Sequence, residues 1–440
     1  MRIFIKSFGC STNLADGEVL AGCLARAGHI MVNDLVGADL VVYNTCAVKG
    51  PTENRMISFL QRIPRDKKLI VVGCLPLINF ERLCREVQFD GVAGPALGER
   101  IVEIVDRVSR GEKVVELENG DKAKPSITLP RIRMNPVIGI IPVSYGCLGS
   151  CAYCCVVFAR GRLRSYSVEE IVERVKEDVS SGVKEIWITS QDVACYGKDI
   201  GANLVELLEA ICKIGGYFKI RVGMMNPNFA MDLLNDLVKA FTHEKIFKFI
   251  HLPLQSGDDQ ILKAMRRFYS VADFRNVVEA FRSKIPEITL ATDIICGFPG
   301  ETDESFEKTL AVIKEVKPDI VNISKFFPRP RTPAASMKDH IPAPVIKARS
   351  VKLARLAKEI AVERNRKWVG WAGEVLIDEA GSVGGSWVGR NLTYKPVVVK
   401  SCSNLLGRIL HVNVVNATHA SLEAEIVDTM MANCTFNPSC

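Results

Sequence analysis

The sequence predicts an α/β protein with an N-terminal parallel-sheet domain, a central partial barrel of six strand–helix units and a small antiparallel β-barrel at the C-terminus. Two regions of the chain alternate short, β-branched-rich runs with helical patterns, which is typical of parallel sheets flanked by helices. In a third region apolar residues recur at every second position, and glycines separate these runs. With 440 residues, of which 48% are hydrophobic, the chain is long enough to fold into several domains.

The N-terminal domain is predicted over residues 1–112, and it accounts for the first alternating region. Its strands are predicted at Ile3–Phe8, Leu40–Asn44 and Leu69–Gly73, and its helices at Leu14–Ala27 and Thr52–Ile63. A polar, turn-rich stretch from Glu118 to Pro125 follows this region. Such composition indicates a linker, which we expect at residues 113–135.

The partial barrel is predicted over residues 136–343. Its six strands are expected at Val137–Val143, Glu185–Thr189, Lys219–Val222, Phe247–Leu252, Thr289–Ile295 and Asp319–Lys325. Six units are too few for a closed eight-stranded barrel, so we expect an open one. One intervening helix begins after Ser167, where Glu170 completes a capping-box signature.

A long basic amphipathic helix is predicted over residues 344–368, and a small barrel of about five strands over residues 369–430. The segment from Lys325 to Lys367 contains twelve Lys/Arg and three acids, whereas the net charge of the whole chain is +7. A local surplus of this kind suits a polyanion such as RNA, and a solvated helix face explains it equally well.

Composition argues against membrane-spanning and disulfide-stabilised classes. No apolar run reaches the roughly 18 residues that a membrane span needs, and the start of the chain lacks a signal-peptide pattern. The chain has fifteen cysteines. In a reducing compartment they favour metal binding or catalysis over disulfides. We therefore expect a cytoplasmic protein with no membrane partner.

Cys147, Cys151 and Cys154 stand in a glycine-rich loop that follows the first predicted barrel strand. Three thiolates so close in sequence are able to hold one small metal centre, and a cubane iron–sulfur cluster takes four ligands. Three cysteines therefore leave one iron open, whereas a zinc site needs a further Cys or His pair that does not follow at suitable spacing. Cys155 is adjacent to Cys154 and is interpreted as a bystander.

Other polar residues end or occupy later barrel strands. They are Gln191 and Asp192 after the second strand, Arg221 in the third, Gln255 after the fourth and Asp293 in the fifth. Active sites of parallel barrels lie at the carboxyl ends of the strands. Each residue alone is ordinary turn chemistry, but together they favour a cofactor pocket at one shared edge.

A second set of cysteines ends three predicted strands of the N-terminal domain: Cys10, Cys46 and Cys74. Ligands of open α/β sheets bind beyond the carboxyl ends of the strands, and neighbouring strands lie about 4.8 Å apart. We therefore expect the three thiols to converge on one centre, the alternative being small buried side chains. Cys23 and Cys84 fall inside helical patterns and are predicted to be core residues.

The Cys-x3-Cys-x2-Cys spacing after a first barrel strand resembles the signature of the radical S-adenosylmethionine (SAM) superfamily. The resemblance implies that the open iron chelates SAM and that the reduced cluster cleaves it to a 5′-deoxyadenosyl radical. It also implies that Tyr153 packs near the adenine of SAM, and it makes the polar residues at the strand ends candidate SAM contacts.

The whole pattern resembles the radical SAM methylthiotransferases over nearly the full chain. The segments that carry the resemblance are Lys6–Asn13, Asn44–Val48, His251–Gly257 and Asp293–Glu301. It implies two [4Fe-4S] clusters, the auxiliary one held by the second cysteine set, and a C-terminal RNA-binding TRAM domain. It implies that one SAM supplies a methyl group to sulfur, that a second supplies the radical, and that a methylthio group replaces a C–H hydrogen.

The segments Ala159–Tyr166 and Arg221–Pro227 are similar to the archaeal and eukaryotic branch of this family. The similarity implies methylthiolation of C2 of N6-threonylcarbamoyladenosine at position 37 of tRNA. The alternatives are isopentenyladenosine in tRNA, an aspartate of a ribosomal protein, and a non-enzymatic iron–sulfur redox sensor that binds RNA. An enzyme of this kind needs a flavodoxin- or ferredoxin-like electron donor and a sulfur source.

The tRNA is expected to bind through the basic segment and the C-terminal barrel, with phosphate contacts supplying affinity. A base of the anticodon loop must then leave its stack to reach the radical. The candidate RNA contacts are Arg329, Arg331, Arg390, Tyr394 and Lys395.

Overall fold

The computed structural model describes residues 1–46, 50–117 and 124–427. Its N-terminal domain is a six-stranded, all-parallel sheet with the strand order β2-β1-β3-β4-β5-β6. The strands are β1 (Arg2–Ser7), β2 (Ile30–Val32), β3 (Leu40–Thr45), β4 (Lys68–Gly73), β5 (Gly91–Ala93) and β6 (Val114–Glu116). The helices are α1 (Ser11–Arg26), α2 (Gly50–Leu60), α3 (Cys74–Ile78), α4 (Phe80–Glu86) and α5 (Arg100–Ser109).

Helices cover both faces of this sheet, which explains why its central strands are continuously apolar. Val42 and Ile70 pack on one face with Ile104 of α5, and Val41 packs on the other with Met56 of α2. This arrangement leaves the carboxyl ends of β1, β3 and β4 together at one edge of the sheet.

The central domain contains six parallel strands in two three-stranded sheets, with the orders β11-β10-β7 and β12-β13-β14. A backbone bridge between Ile220 and Ile246 lies between the two sheets. The six strands are β7 (Ile138–Pro142), β10 (Glu185–Thr189), β11 (Lys219–Val222), β12 (Phe249–His251), β13 (Thr289–Cys296) and β14 (Ile320–Lys325). A separate antiparallel pair is formed by β8 (Ser144–Tyr145) and β9 (Arg164–Ser165).

Helices follow these strands and pack around the outside of the open barrel. They are α6 (Val156–Arg160), α7 (Val168–Ser180), α8 (Leu204–Cys212), α9 (Pro227–Met231), α10 (Leu234–Ala240), α11 (Asp259–Ala264), α12 (Val271–Lys284) and α13 (Asp303–Val316), with 3-10 helices at Val193–Cys195 and Pro333–Ser336. The predicted capping box is confirmed: Ser167 accepts a hydrogen bond from the Glu170 amide, and Glu170 accepts one from the Ser167 amide.

Helix α14 (Ala343–Arg366) connects the central domain to a closed five-stranded barrel. The barrel strands are β15 (Ala372–Ala380), β16 (Ser386–Arg390), β17 (Pro396–Lys400), β18 (Ile409–Ala417) and β19 (Leu422–Ile426). Their pairing is antiparallel except between β17 and β19, which is parallel and closes the barrel. In the described part of the chain, no helix is long and apolar enough to cross a membrane.

The predicted fold class is confirmed, and most differences concern short strands. The sequence pattern missed β2 and β5, which are three residues long. Strand β6 carries the N-terminal sheet to Glu116, beyond the expected boundary at residue 112. Residues 118–123 of the expected linker and 428–430 of the expected barrel lie outside the described residues.

Candidate iron–sulfur and cofactor site

The loop that carries Cys147, Cys151 and Cys154 is held from several sides by backbone hydrogen bonds. The Cys147 amide donates to Gly161 O at 3.2 Å, and the Ala152 amide donates to Met265 O at 2.9 Å. Ala152 O in turn accepts from the Ala334 amide at 2.9 Å. Residues after β8, α11 and β14 therefore fix one short loop at the carboxyl end of the barrel strands.

Two thiols of this loop, Cys147 and Cys154, lie in a setting that disfavours free thiolates. Burial raises the pKa of Cys147 to about 12, and burial raises the pKa of Cys154 well above its usual range. The half-buried Arg267 guanidinium donates from Nη1 to Cys151 Sγ at 3.4 Å. Thiolates in such a place need cationic partners, and the irons of a cluster are partners of this kind.

The second cysteine set converges through close backbone contacts that glycine alone permits. Gly9, just before Cys10, has a φ of +110°, and a Cβ there would lie 2.5 Å from Cys46 Cβ. Gly73, just before Cys74, has a φ of +98°, and a Cβ there would lie 2.4 Å from Thr45 O. The ends of β1, β3 and β4 thus lie against one another, as predicted from the parallel order.

Cys46 and Cys74 are buried, whereas Cys10 is exposed. Burial raises the pKa of Cys74 to about 12; Arg160, which lies beside the thiol, lowers it, and the nearby Cys46 and Cys10 raise it. The three thiols, each at the end of a different strand, therefore lie close together, and the Arg160 guanidinium lies next to them.

Both sets have the donor composition of iron–sulfur ligands. In the described residues, no group of three Cys, His, Asp or Glu side chains is arranged to hold one metal ion. The all-thiol composition of both sets, with no carboxylate or imidazole among them, is the donor chemistry of iron–sulfur clusters.

A cleft of about 210 Å³ opens beside the first cysteine set. It is lined by four predicted site residues, Tyr153, Cys154, Gln255 and Asp293, together with β14 residues such as Lys325. Gln255 adopts a φ of 69° in this lining, a conformation that is rare outside glycine and concentrates at functional sites.

Asp293 is held on both of its carboxylate oxygens. Its Oδ2 contacts His251 Nε2 at 3.0 Å, and its Oδ1 accepts from Asn322 Nδ2 at 2.9 Å. These three side chains come from β12, β13 and β14, so they form a polar row on neighbouring strands. The row can accept and donate hydrogen bonds to hydroxyl groups of a bound nucleoside.

Gln191 and Asp192 lie next to the first cysteine loop rather than in the lining of the cleft. Gln191 Oε1 accepts from the Gly146 amide at 2.7 Å, just before Cys147. Asp192 accepts from the amides of Ala194 and Asn226, and burial raises its pKa to about 6. Gln191 therefore holds the backbone of the loop, whereas Asp192 holds the segments that follow β10 and β11.

Arg221 does not join the cleft. Its guanidinium lies over the rings of Trp187, Phe249 and Tyr394, at 5.0 to 5.5 Å from their centroids. Because Tyr394 belongs to the C-terminal barrel, Arg221 packs at the contact between the two barrels. Its prediction as a SAM contact is not supported by this position.

Three of the five predicted RNA contacts are buried, which contradicts their prediction. Arg329 is 3% exposed and pairs with the buried Glu53 of α2. Tyr394 and Lys395 are 8% and 4% exposed, and they hydrogen-bond to Glu185 and Asp319 of the central domain. These side chains hold domains together and present no surface to a polyanion.

The other two predicted RNA contacts differ from each other. Arg390 is mostly buried and pairs with Asp378 and Glu379 of its own barrel. Arg331 is exposed, and its guanidinium donates to Leu77 O while lying over the Phe158 ring. Of the five, only Arg331 has an exposed side chain.

Sequence reasoning also missed residues of the site. The buried Arg160 and the half-buried Arg267 lie beside the two cysteine sets, and His251 holds Asp293. Arg160 and His251 lay inside motifs already singled out, but nothing in the sequence showed where their side chains point. Cys23 is buried as predicted, whereas Cys84 is exposed on α4, so its prediction as a core residue is wrong.

Two family models match this chain, and they divide it as the fold does. The Radical SAM superfamily model matches residues 141–313. A second model, described as Uncharacterized protein family UPF0004, matches residues 2–94. The first match covers the loop of Cys147, Cys151 and Cys154, and the second covers Cys10, Cys46 and Cys74.

Curated relatives match over nearly the whole chain. A probable threonylcarbamoyladenosine tRNA methylthiotransferase of Pyrococcus abyssi is 42% identical over 429 residues, covering 97% of this chain and 100% of the relative. This chain belongs to the threonylcarbamoyladenosine tRNA methylthiotransferase family. The human member of this methylthiotransferase family is 37% identical, over 94% of this chain and 72% of that protein.

Solved structures agree with the methylthiotransferase fold at the level of architecture. The radical SAM methyltransferase TsrM from Kitasatospora setae, solved with cobalamin and a [4Fe-4S] cluster, matches with a TM-score of 0.55. The match covers 76% of each chain at 14% sequence identity, so it shows a shared fold.

Proposed function

We propose that this protein transfers a methylthio group to C2 of N6-threonylcarbamoyladenosine at position 37 of tRNA. The observation that carries the proposal is the placement of the two cysteine sets. The segment that begins at Cys10 lies against the barrel end that holds Cys147, with Ser11 Oγ 2.5 Å from Thr189 Oγ1. Two cluster sites that face each other across a domain boundary suit a reaction that needs both a radical and a sulfur carrier.

In this proposal, Cys147, Cys151 and Cys154 hold one [4Fe-4S] cluster, and Cys10, Cys46 and Cys74 hold the other. When bound, the first cluster would pass to SAM the electron that cleaves it, and the second would carry the sulfur that is transferred. The protein's own residues bind the substrates, orient them and exclude water from the radical.

SAM is proposed to occupy the cleft beside Cys154. Tyr153, Gln255 and Asp293 line this cleft. We infer that the Tyr153 ring packs against adenine and that Gln255 and Asp293 hydrogen-bond with polar groups of SAM. Asp293 is already oriented by His251 and Asn322, so it loses little freedom on binding.

The tRNA is proposed to approach along helix α14. Four basic residues of this helix are exposed, and they fall within roughly a third of its circumference at 3.6 residues per turn: Lys347, Arg355, Lys358 and Arg366. We name these four residues the α14 stripe, and it is about 28 Å long at 1.5 Å rise per residue. Helix α14 begins beside Gly297, where Ile346 packs at the carboxyl end of β13, so the stripe runs away from the site.

The anticodon loop is proposed to deliver its base to the cleft by unstacking it, since a stacked base cannot reach the radical. We also propose that a flavodoxin- or ferredoxin-like protein supplies electrons and that a separate source supplies sulfur. The cytoplasm is the proposed compartment, because reducing conditions keep the cluster thiols available.

Nucleoside mass spectrometry of tRNA incubated with anaerobically reconstituted enzyme tests the function. We expect roughly eight irons per chain and methylthiolated threonylcarbamoyladenosine in the product. Cys147→Ala should abolish SAM cleavage, whereas Cys46→Ala should spare SAM cleavage and stop methylthiolation. If both variants still methylthiolate tRNA, the cysteine assignments fail.

The substrate is tested separately with cells that lack the protein. Loss of the methylthio group from threonylcarbamoyladenosine supports the proposal. Unaltered tRNA together with a changed ribosomal peptide, or a change in isopentenyladenosine alone, would overturn it. RNA binding with no production of 5′-deoxyadenosine would indicate a redox sensor instead.

A further inference from the structure

The first turns of α1 join the two candidate cluster sites. Cys10 immediately precedes this helix, and the next residues contact the central barrel with their side chains. Ser11 Oγ lies 2.5 Å from Thr189 Oγ1, and Thr12 Oγ1 accepts from Gln191 Nε2 at 3.4 Å. Asp16 Oδ1 accepts from the Tyr145 hydroxyl at 2.7 Å. The start of α1 is thus attached to the barrel by side chains on either side of the first cysteine loop.

Arg160 is the charged centre of this attachment. Its Nη1 donates to Asp16 Oδ2 at 2.6 Å, and its Nη2 donates to Asn13 Oδ1 at 3.0 Å. The side chain of Arg160 is 2% exposed and that of Asp16 is 4% exposed, so the ion pair is fully withdrawn from water.

The position of Arg160 in the chain connects it to the first cysteine loop. It is the last residue of α6, which follows Cys154 and Cys155 directly, so only five residues separate Arg160 from a candidate ligand. Its guanidinium meanwhile reaches the second set and lies beside the Cys74 thiol. One side chain therefore touches α1 after Cys10, reaches Cys74, and belongs to the segment that contains Cys154.

A guanidinium suits this role because it offers several N–H donors in a fixed plane. Asp16 neutralises its charge, which leaves a directed donor next to a cluster ligand instead of an isolated cation. Hydrogen bonds to a ligand sulfur stabilise the reduced, more negative form of a cluster, and such partners also orient the ligand.

We propose that Arg160 is a positioning residue that fixes the auxiliary cluster relative to the radical SAM cluster and sets the reduction potential of the auxiliary cluster through Cys74. This inference rests on the proposed function for the identity of the two clusters. In this inference Asp16 and Asn13 hold the Arg160 guanidinium, and the three residues together fix the position of one cluster site relative to the other.

The test uses anaerobically reconstituted full-length protein and three measurements: the midpoint potential of each cluster, the magnetic interaction between the two reduced clusters in electron paramagnetic resonance (EPR) spectra, and SAM cleavage. Because Arg160→Gln alone leaves the Asp16 carboxylate buried without its cation, the main variant is Asp16→Asn/Arg160→Gln, which removes both charges together. Arg160→Lys is the conservative variant, since it keeps the charge and loses the planar donors.

We expect the double variant to keep both clusters and SAM cleavage, to show a more negative potential for the auxiliary cluster alone, and to alter the EPR interaction. Methylthiolation should fall by about ten- to a hundredfold, the range typical of groups that orient metal ligands. Arg160→Lys should also keep both clusters and SAM cleavage, but it should not keep the wild-type EPR interaction.

Arg131→Lys is the matched control, because Arg131 forms another buried pair with an aspartate, Asp178, that includes no cysteine. It should leave both potentials and the EPR interaction unchanged. The proposal is overturned if the double variant keeps the wild-type potential and EPR interaction, or if Arg160→Lys keeps the wild-type potential, EPR interaction and methylthiolation. Failure of the wild-type protein to methylthiolate tRNA would remove the proposed function, while the potentials and spectra would still decide the role of Arg160.

Discussion

Tyr394 of the C-terminal barrel donates a hydrogen bond of 2.8 Å to Glu185, the first residue of strand β10 in the central barrel. Both side chains are buried, and Arg221 lies over the Tyr394 ring. A second buried contact of the same barrel joins Lys395 to Asp319 at 2.7 Å. The C-terminal barrel is therefore fixed to the central domain by buried polar groups, which are costly to separate.

Replacing the tyrosine tests this contact. We expect Tyr394→Phe to lower the free energy of unfolding by about 1–3 kcal/mol, because it leaves a buried carboxyl oxygen without one of its donors. Urea denaturation measures the loss. Tyr217→Phe changes an exposed ring and should stay within about 0.5 kcal/mol of wild type. A loss of tRNA affinity in Tyr394→Phe without any loss of stability would instead restore Tyr394 as an RNA contact.

The same glutamate predicts a pH dependence of stability. Burial, with the nearby Asp378 adding to it, raises the pKa of Glu185 from 4.5 to about 7, and its Oε2 has no hydrogen-bond partner in the described structure. The folded protein therefore holds a proton that the unfolded chain has released. This contribution to stability is complete below the unfolded pKa and is lost as the pH rises through the folded pKa.

Unfolding experiments between about pH 5 and pH 8 should show the stability of the wild type declining as the pH rises. Glu185→Gln should show a shallower decline, with the remainder arising from Glu18 and Asp192, whose pKa values burial also raises, to about 7 and about 6. Glu173→Gln, at an exposed position on α7, should follow the wild type. A steeper decline in Glu185→Gln would contradict the assignment.

The approach of Gly9 to Cys46 predicts a selective loss of one cluster. Gly9→Ala should reduce the iron content from roughly eight to roughly four per chain while SAM cleavage continues, because the new Cβ would displace Cys46. Gly28→Ala is a close control: Gly28 also has a positive φ, of +89°, but no atom lies within 4 Å of the added Cβ. Both variants carry similar backbone strain, so equal iron loss in the two would show that strain alone is responsible.

The α14 stripe predicts where the tRNA backbone binds. Arg355→Ala/Lys358→Ala should weaken tRNA binding and reduce the slope of log affinity against log salt by roughly one for each phosphate that is no longer neutralised. Lys213→Ala/Lys239→Ala removes two exposed lysines from the far helices of the central domain and should keep the wild-type slope. Filter binding over a range of salt concentrations measures both. Identical slopes for the two double variants would exclude the stripe.

Local sequence was sufficient to predict which cysteines come together. Cys147, Cys151 and Cys154 lie within eight residues, so their spacing alone brings them into one loop. Cys10, Cys46 and Cys74 are far apart, yet each ends a strand of a parallel sheet, and the strand order places them at one edge. Periodicity and position were sufficient here because sheet geometry is regular.

For the charged residues, local sequence was not sufficient to predict their surroundings. Arg329 of the basic segment, and Tyr394 and Lys395 of the C-terminal barrel, were predicted to contact RNA. Each is instead buried against an acidic partner from another domain. Arg160 resembled its neighbours Arg162 and Arg164 in sequence, yet it alone of the three is fully buried and paired with Asp16.

The sequence by itself determined the fold class, the element order and the cysteine sets, because these depend on local spacing and periodicity. Only the tertiary structure decided which cations face solvent and which bind the domains together, because that depends on carboxylates that fold in from distant parts of the chain.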